Sequence, residues 1–164
     1  MSALPLFKHP PAMLFRLFRR LPTRVRLLIF SFVSRKVTLG VSAIVLDTQD
    51  HILLVRHTYR RPAWDYPSGL IDGNEQPPVA LLREIGEELG VAATAGPLLH
   101  AENHQDTRHL TLYYRVFLHG TPRYNGTEID DCRYVSFDEL SALTGSPPTT
   151  WLLHERSLSR RATS

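Results

Sequence analysis

The sequence predicts an α+β domain preceded by a basic helical arm, and three observations carry that expectation. From Val37 onward, runs rich in Val, Ile and Leu alternate with turn clusters; a helix-period pattern opens at Pro77-Pro78 and stops at Gly90. The third is charge: residues 1–46 hold eight basic side chains (Lys8, Arg16, Arg19, Arg20, Arg24, Arg26, Arg35, Lys36) and no acid.

A chain of 164 residues suffices for one compact domain and not for two. Hydrophobic residues at 43% and charged residues at 21% sit near the globular average, which excludes a disordered chain and a membrane bundle. No unbroken apolar run exceeds that of Leu27 to Phe30, far short of the roughly 18–20 residues that span a bilayer. Cys132 stands alone, so no internal disulfide is possible, and a reducing, cytoplasmic compartment is expected. Nothing around Cys132 would activate a thiol; it reads as a small packing residue. The net charge of +3 divides into +8 on the arm and −5 on the remainder, which holds 11 basic residues against all 16 acids. Such a split suits a body that works with cations and an arm that meets an anionic surface or its own acidic body.

In the arm, residues 1–36, Met13, Leu14, Leu17, Phe18 and Leu21 line one helical face, with Arg16, Arg19 and Arg20 on the other. Pro22 interrupts the pattern and Thr23 can cap a second helix to about Ser34. A helical extension packed on its own domain or across a homodimer is the favoured use; an anionic membrane surface and a transit peptide are the others. The body, residues 37–145, opens with a strand over Val37–Leu46, a turn at Asp47-Thr48-Gln49-Asp50, and a strand over His51–His57 expected to pair with it as a hairpin. A polar loop runs over Thr58–Asp65, and Pro67-Ser68-Gly69 makes a tight bend. The helix from Pro77 to about Leu89 exploits proline's tolerance in a first turn and glycine's at a C-terminus. Strands follow at about Ala93–Gln105, His109–Leu118 and Arg133–Ser136, then a small helix from Phe137; residues 146–164, helical over Thr149–Leu158, end the same domain.

The chemistry lies in Gly69-Leu70-Ile71-Asp72-Gly73-Asn74-Glu75, seven further residues, then Arg83-Glu84-Ile85-Gly86-Glu87-Glu88-Leu89-Gly90-Val91. Glu84, Glu87 and Glu88 stand at i, i+3 and i+4, so three carboxylates share one side of a helix, an arrangement that repels itself unless a cation sits among them. An all-oxygen, carboxylate-rich set suits Mg²⁺ or Mn²⁺, and the Cys and His spacing of a zinc site is missing. Val79, Leu82, Ile85 and Leu89 are the expected buried side.

This segment resembles the Nudix box, G-x5-E-x7-R-E-U-x-E-E-x-G-U with U a bulky aliphatic residue, at all nine specified positions. The resemblance covers about Val37 to Leu140. It implies the Nudix fold, a mixed β-sheet sandwiched between α-helices, and metal-dependent hydrolysis of a nucleoside diphosphate linked to another moiety. By position, it implies that Glu84, Glu87, Glu88 and the main-chain carbonyl of Ser68 ligate metal. It further implies that Arg83 holds the glutamates, and that Glu75 braces the loop–helix junction or binds metal through water. Many members have Gly where Ser68 stands, but only its carbonyl is needed. A water activated by metal must lose its proton to a carboxylate. Glu84, inside the cluster, is one candidate; Glu128 is the other, because some relatives carry an acid in the corresponding loop.

For substrate, Arg56, Arg60, Arg61 and Arg115 are candidate phosphate contacts, and Trp64, Tyr66 and Tyr113 candidate stacking partners. The eight histidines show no ligand spacing and are expected in solvent. Pro97 lies six residues past Val91, not at the spacing associated with ADP-ribose hydrolases, and the marks of dinucleoside polyphosphate and NADH hydrolases are missing, so no subfamily is assigned. A small-molecule nucleotide hydrolase is the leading reading. A non-catalytic nucleotide sensor, an RNA 5′-end hydrolase using the arm and an isoprenoid diphosphate isomerase stand behind it; an intact box favours turnover over sensing, and two lysines in the arm weigh against nucleic acid.

Overall fold

The computed structural model describes residues 19–26, 37–59, 61–104, 107–124, 126–145 and 151–154. The chain forms two compact units, Met1–Lys36 and Val37–Ser164. In the first, residues 19–20 and 23–26 are helical with Pro22 between them. The amides of Val25 and Arg26 donate to the Pro22 carbonyl at 3.0 and 3.1 Å, so Thr23 opens the helix instead of capping it, and its hydroxyl accepts from Arg26 Nη2 at 3.1 Å. The remainder of both expected arm helices lies outside the described residues, as do 146–150 and 155–164 at the C-terminus, where 151–154 are helical.

The second unit contains strands β1 (Thr38–Ile44), β2 (Ile52–His57), β3 (Trp64–Asp65) and β4 (Ser68–Leu70), then helix α1 (Pro77–Leu89). Strands β5 (Ala93–His104), β6 (His109–Leu118) and β7 (Ile129–Val135) follow, and helix α2 is Phe137–Thr144. The strands form two sheets, β4-β1-β6-β5 and β3-β2-β7, rather than one. The first is mixed: β1 runs parallel to β6 and antiparallel to β4. The expected β1–β2 hairpin is corrected by this division. Its turn forms, with Asp47 Oδ1 accepting from the amides of Gln49 and His51, and a bridge joins Leu46 to Ile52. Beyond it the strands part: β1 pairs with β4 and β6, and β2 with β3 and β7.

Val41, Ala43, Leu53 and Val55 pack on one side with Ala80, Leu81, Ile85 and Leu89 of α1; Ile44, Ile52 and Leu54 pack on the other with Phe137 and Leu140 of α2 and with Leu152. The helices thus cover both faces, each fully buried Leu or Ile of α1 contributing about 1.5–3 kcal/mol. The buried face of α1 differs from the expected one: Val79 is 55% exposed and Leu81 is fully buried. The helix bounds match those read from its prolines and Gly90, which takes a left-handed conformation (φ 56°) and donates to the Gly86 carbonyl. Pro67-Ser68-Gly69, expected as a bend, leads into β4, whose Ser68 and Gly69 pair with Ser42 and Val41. β7 begins at Ile129, four residues earlier than expected, because Val55 and Arg56 of β2 pair with Cys132 and Asp131. No described helix is long and apolar enough to cross a membrane.

Candidate active site

Helix α1 places its carboxylates against β4. Arg83 is the centre of this junction. Its Nε and Nη2 each donate at 3.1 Å to one oxygen of Glu75, Nη1 donates to Glu84 at 2.9 Å and to Glu87 at 3.2 Å, and Nη2 also reaches the Leu70 carbonyl at 3.1 Å. The guanidinium fork is suited to such two-point carboxylate contact. It holds the Glu75 carboxyl below the usual carboxylate range, and the carboxylates in turn raise the Arg83 guanidinium. Burial pushes the Glu84 carboxyl up, against the opposing pull of Arg83. A side chain at Gly69 would overlap the Glu84 carboxyl, so the glycine is what lets that carboxyl lie on the strand.

Glu88 differs from its neighbours. It is 6% exposed, at the edge of the core, and accepts from the Ser68 amide at 3.2 Å. Glu87 is exposed. The three acids therefore span buried to solvated, with Glu84 and Glu88 turned to the Ser68–Gly69 backbone.

The same backbone forms the lip of a cleft of about 290 Å³ on the other face of the mixed sheet. Its floor is β1, where Gly40 and Ser42 are the alternate, small positions; Thr111 and Tyr113 of β6 stand beside them, and Asp65, His104 and His109 complete the wall. At one end Tyr113 donates to Glu102 at 3.3 Å and meets Tyr66 edge to face at 6.2 Å. Trp151 lies 5.0 Å from Tyr113 and stacks on His100 at 4.9 Å. Burial raises both tyrosine hydroxyls, and the charges of Asp65 and Glu102 raise them further.

Of the expected site residues, Ser68, Arg83, Glu84 and Glu88 come together, with Glu87 on the solvent side of Arg83. Glu128 is exposed in the turn before β7, where its carbonyl accepts from the Thr58 amide at 3.0 Å. Arg56 is held 2.7 Å from Asp130 and lies over the Trp64 ring at 5.7 Å, with Arg133 at 4.4 Å over the same ring. Trp64 also packs in the α2-side core, and neither it nor Arg56 lines the cleft. Arg115 lies over Phe117 at 5.5 Å, also away from the cleft lining. Arg60 is outside the described residues. Tyr113, weighed for stacking, does line the cleft. Sequence reasoning missed Gly40, Ser42, Asp65, His104, His109 and Thr111. The small residues at alternate positions of β1 were the available signal. His104 and His109, expected in solvent, are half-buried and paired across the end of the β5–β6 hairpin.

The donor chemistry fits a hard dication. Among the described residues no three acidic, imidazole or thiol side chains enclose a metal by themselves. Glu84, Glu87 and Glu88 offer the oxygen-only, carboxylate donors that Mg²⁺ takes together with waters and substrate phosphate oxygens. Glu88 brings a buried carboxylate to the Ser68 main chain, whose carbonyl would complete an all-oxygen set.

Three comparisons bear on this site. A family model described as NUDIX domain matches residues 36–157. An 8-oxo-dGTP diphosphatase of Proteus vulgaris is 30% identical over 77 residues, covering 44% of this chain and 69% of that protein. Diphosphoinositol polyphosphate phosphohydrolase 2 of Homo sapiens is 35% identical over 68 residues, 42% of this chain and 38% of that one, so the chain spans well under half of that relative's length. Among solved structures, a UDP-X diphosphatase aligns with a TM-score of 0.63 at 20% identity, covering 93% of this chain and 79% of that one. A MutT NUDIX hydrolase of Burkholderia pseudomallei aligns at 0.59 and 24% identity, over 79% of this chain and 100% of its own. At these identities the structural likeness is one of fold. With the box residues gathered at one junction and the model spanning most of the sequence, the chain belongs to the NUDIX family of pyrophosphohydrolases.

Proposed function

We propose that this chain hydrolyses the pyrophosphate bond of a nucleoside diphosphate linked to a second moiety, by attack of water on phosphorus. The observation that carries the reading is the meeting of Glu84 and Glu88 with the backbone of Ser68–Gly69, two residues that also line the cleft on the other face of the sheet. Glu84, Glu87, Glu88 and the Ser68 carbonyl would hold Mg²⁺ or Mn²⁺. When bound, such an ion neutralises phosphate oxygens and lowers the pKa of water. Arg83 fixes Glu84 and Glu87 and ties the helix to the Glu75 loop, so the carboxylates are oriented before substrate arrives. Glu84 is the proposed base: it is half-buried and lies against the cleft residue Gly69. Glu128, on an exposed turn, is the second candidate.

The double variant Glu87→Gln, Glu88→Gln tests the reading. Mg²⁺-dependent product release should fall by at least about 10²-fold with the fold intact by circular dichroism, whereas unchanged turnover would refute the metal assignment.

A further inference from the structure

We propose that the cleft binds the vicinal diol of a sugar ring through the hydroxyls of Ser42 and Ser68. The site goes beyond the hydrolytic reading, since none of its side chains belongs to the carboxylate cluster. Successive residues of a strand face opposite sides. Gly69 meets Glu84 on the α1 side, whereas Ser68 and Ser42 stand directly opposite one another across β4 and β1 and line the cleft on the other side.

The pairing brings the two hydroxyls together. The Ala43 amide donates to the Pro67 carbonyl at 2.8 Å, so the next pair along, Ser42 with Ser68, exchanges no backbone hydrogen bond. Side chains of such a pair stand close, with Cβ atoms about 4.5–5.5 Å apart. The Ser68 amide is thereby released from β1 and donates to Glu88 at 3.2 Å. Ser42 is only 3% exposed, yet among the described residues nothing hydrogen-bonds its hydroxyl or that of Ser68. Buried hydroxyls in folded proteins are paired almost throughout, so this one marks a place where a group from outside the chain completes the bonding.

The rest of the cleft narrows the ligand class. Tyr113 donates to Glu102 at 3.3 Å, Thr111 and His104 share a hydrogen bond at 3.3 Å, and Asp65 accepts from the Tyr66 amide at 2.8 Å. The two serines therefore carry the recognition. Among the described lining residues there is no lysine or arginine, so a phosphate or carboxylate would find no such partner. The ring of Tyr113 is already packed, edge to face with Tyr66 at 6.2 Å and at 5.0 Å from Trp151, which leaves little for a nucleobase to stack on. A serine hydroxyl both donates and accepts, as a sugar hydroxyl does, so adjacent hydroxyls of one ring can each take one serine. The volume of about 290 Å³ suits a single ring.

The test follows the backbone amides of Gly40, Ser42 and Ser68 by ¹H–¹⁵N NMR of the full chain in chelator, titrated with methyl α-D-glucopyranoside, dTDP-glucose and dTDP. Both sugar ligands should move these amides, and dTDP, which has no vicinal diol, should not. Tighter binding of dTDP-glucose than of the free glycoside assigns the diol to a nucleotide-borne sugar, and equal binding to a free one; either result supports the site. Ser42→Ala and Ser68→Ala should each weaken both sugar ligands roughly three- to tenfold. The melting temperature of Ser42→Ala should hold or rise, since no described group loses a partner. Amides unmoved by both sugar ligands, equal movement with dTDP, or undiminished affinity in Ser42→Ala would overturn the proposal. With the metal chelated, binding is read apart from turnover: loss of the sugar site leaves the hydrolytic reading standing, and absent hydrolysis leaves the sugar site standing.

Discussion

Glu84 lies on Gly69: the space a methyl group would take on the strand is filled by the glutamate's carboxyl. A residue of the helix and a residue of β4, 15 positions apart, are thereby locked together, and Gly69 also lines the cleft on the other face of the sheet. The box glycine acts here by having no side chain, not by its backbone conformation.

Gly69→Ala should therefore leave the fold nearly unchanged, since the end of a flexible side chain can move aside, and displace Glu84 from its working position. A displacement of this size near reacting atoms costs about 10²-fold in rate. Steady-state kinetics beside a thermal melt check this; a large loss of melting temperature with normal kcat in the surviving fraction would contradict it.

Arg83→Lys keeps the charge and loses the fork. One ammonium cannot serve Glu75 through both oxygens while also reaching Glu84, Glu87 and the Leu70 carbonyl. We expect a stability loss of about 1–2 kcal/mol in urea unfolding and a larger fall in kcat than in KM. Equal activity of the lysine variant would show that orientation by the fork is not used.

Helix α2 supplies a pH-dependent test away from the site. Ser136 accepts from the Glu139 amide at 3.3 Å and Glu139 accepts from the Ser136 amide at 2.9 Å, a reciprocal cap that holds the Glu139 carboxyl below its ordinary 4.5. A carboxyl depressed on folding gives stability that is present above its unfolded value and lost as pH falls through the folded one. Ser136→Ala should cost about 1 kcal/mol near neutrality, and the deficit should shrink below pH 4.5. A deficit independent of pH would separate the serine from the carboxylate.

Much of this was legible in sequence because local rules coincide with the structure there. Helix α1 ends where Pro77 and Gly90 place its ends, and β6 spans His109–Leu118 as its pattern reads. The clustering of Arg83 and Glu84 against β4 follows from spacing together with the resemblance. What escaped is non-local. Val79 and Leu81 exchanged roles because the core facing α1 comes from two sheets, and the helix turns to bury Leu81 between them. The β1–β2 turn is local, but its strands' partners, β6 and β7, lie more than 60 residues further along the chain. The cleft was invisible for the same reason: Gly40, Thr111, Asp65 and His104 come from four strands, and only pairing register makes them neighbours.

The most direct measurement is hydrolysis of a sugar nucleotide in ¹⁸O-enriched water, with and without Mg²⁺, read by mass spectrometry of the products. We expect cleavage only with the dication, and the heavy oxygen on a phosphoryl group. Products formed at full rate in chelator, or the label bonded to the sugar carbon, would contradict the account.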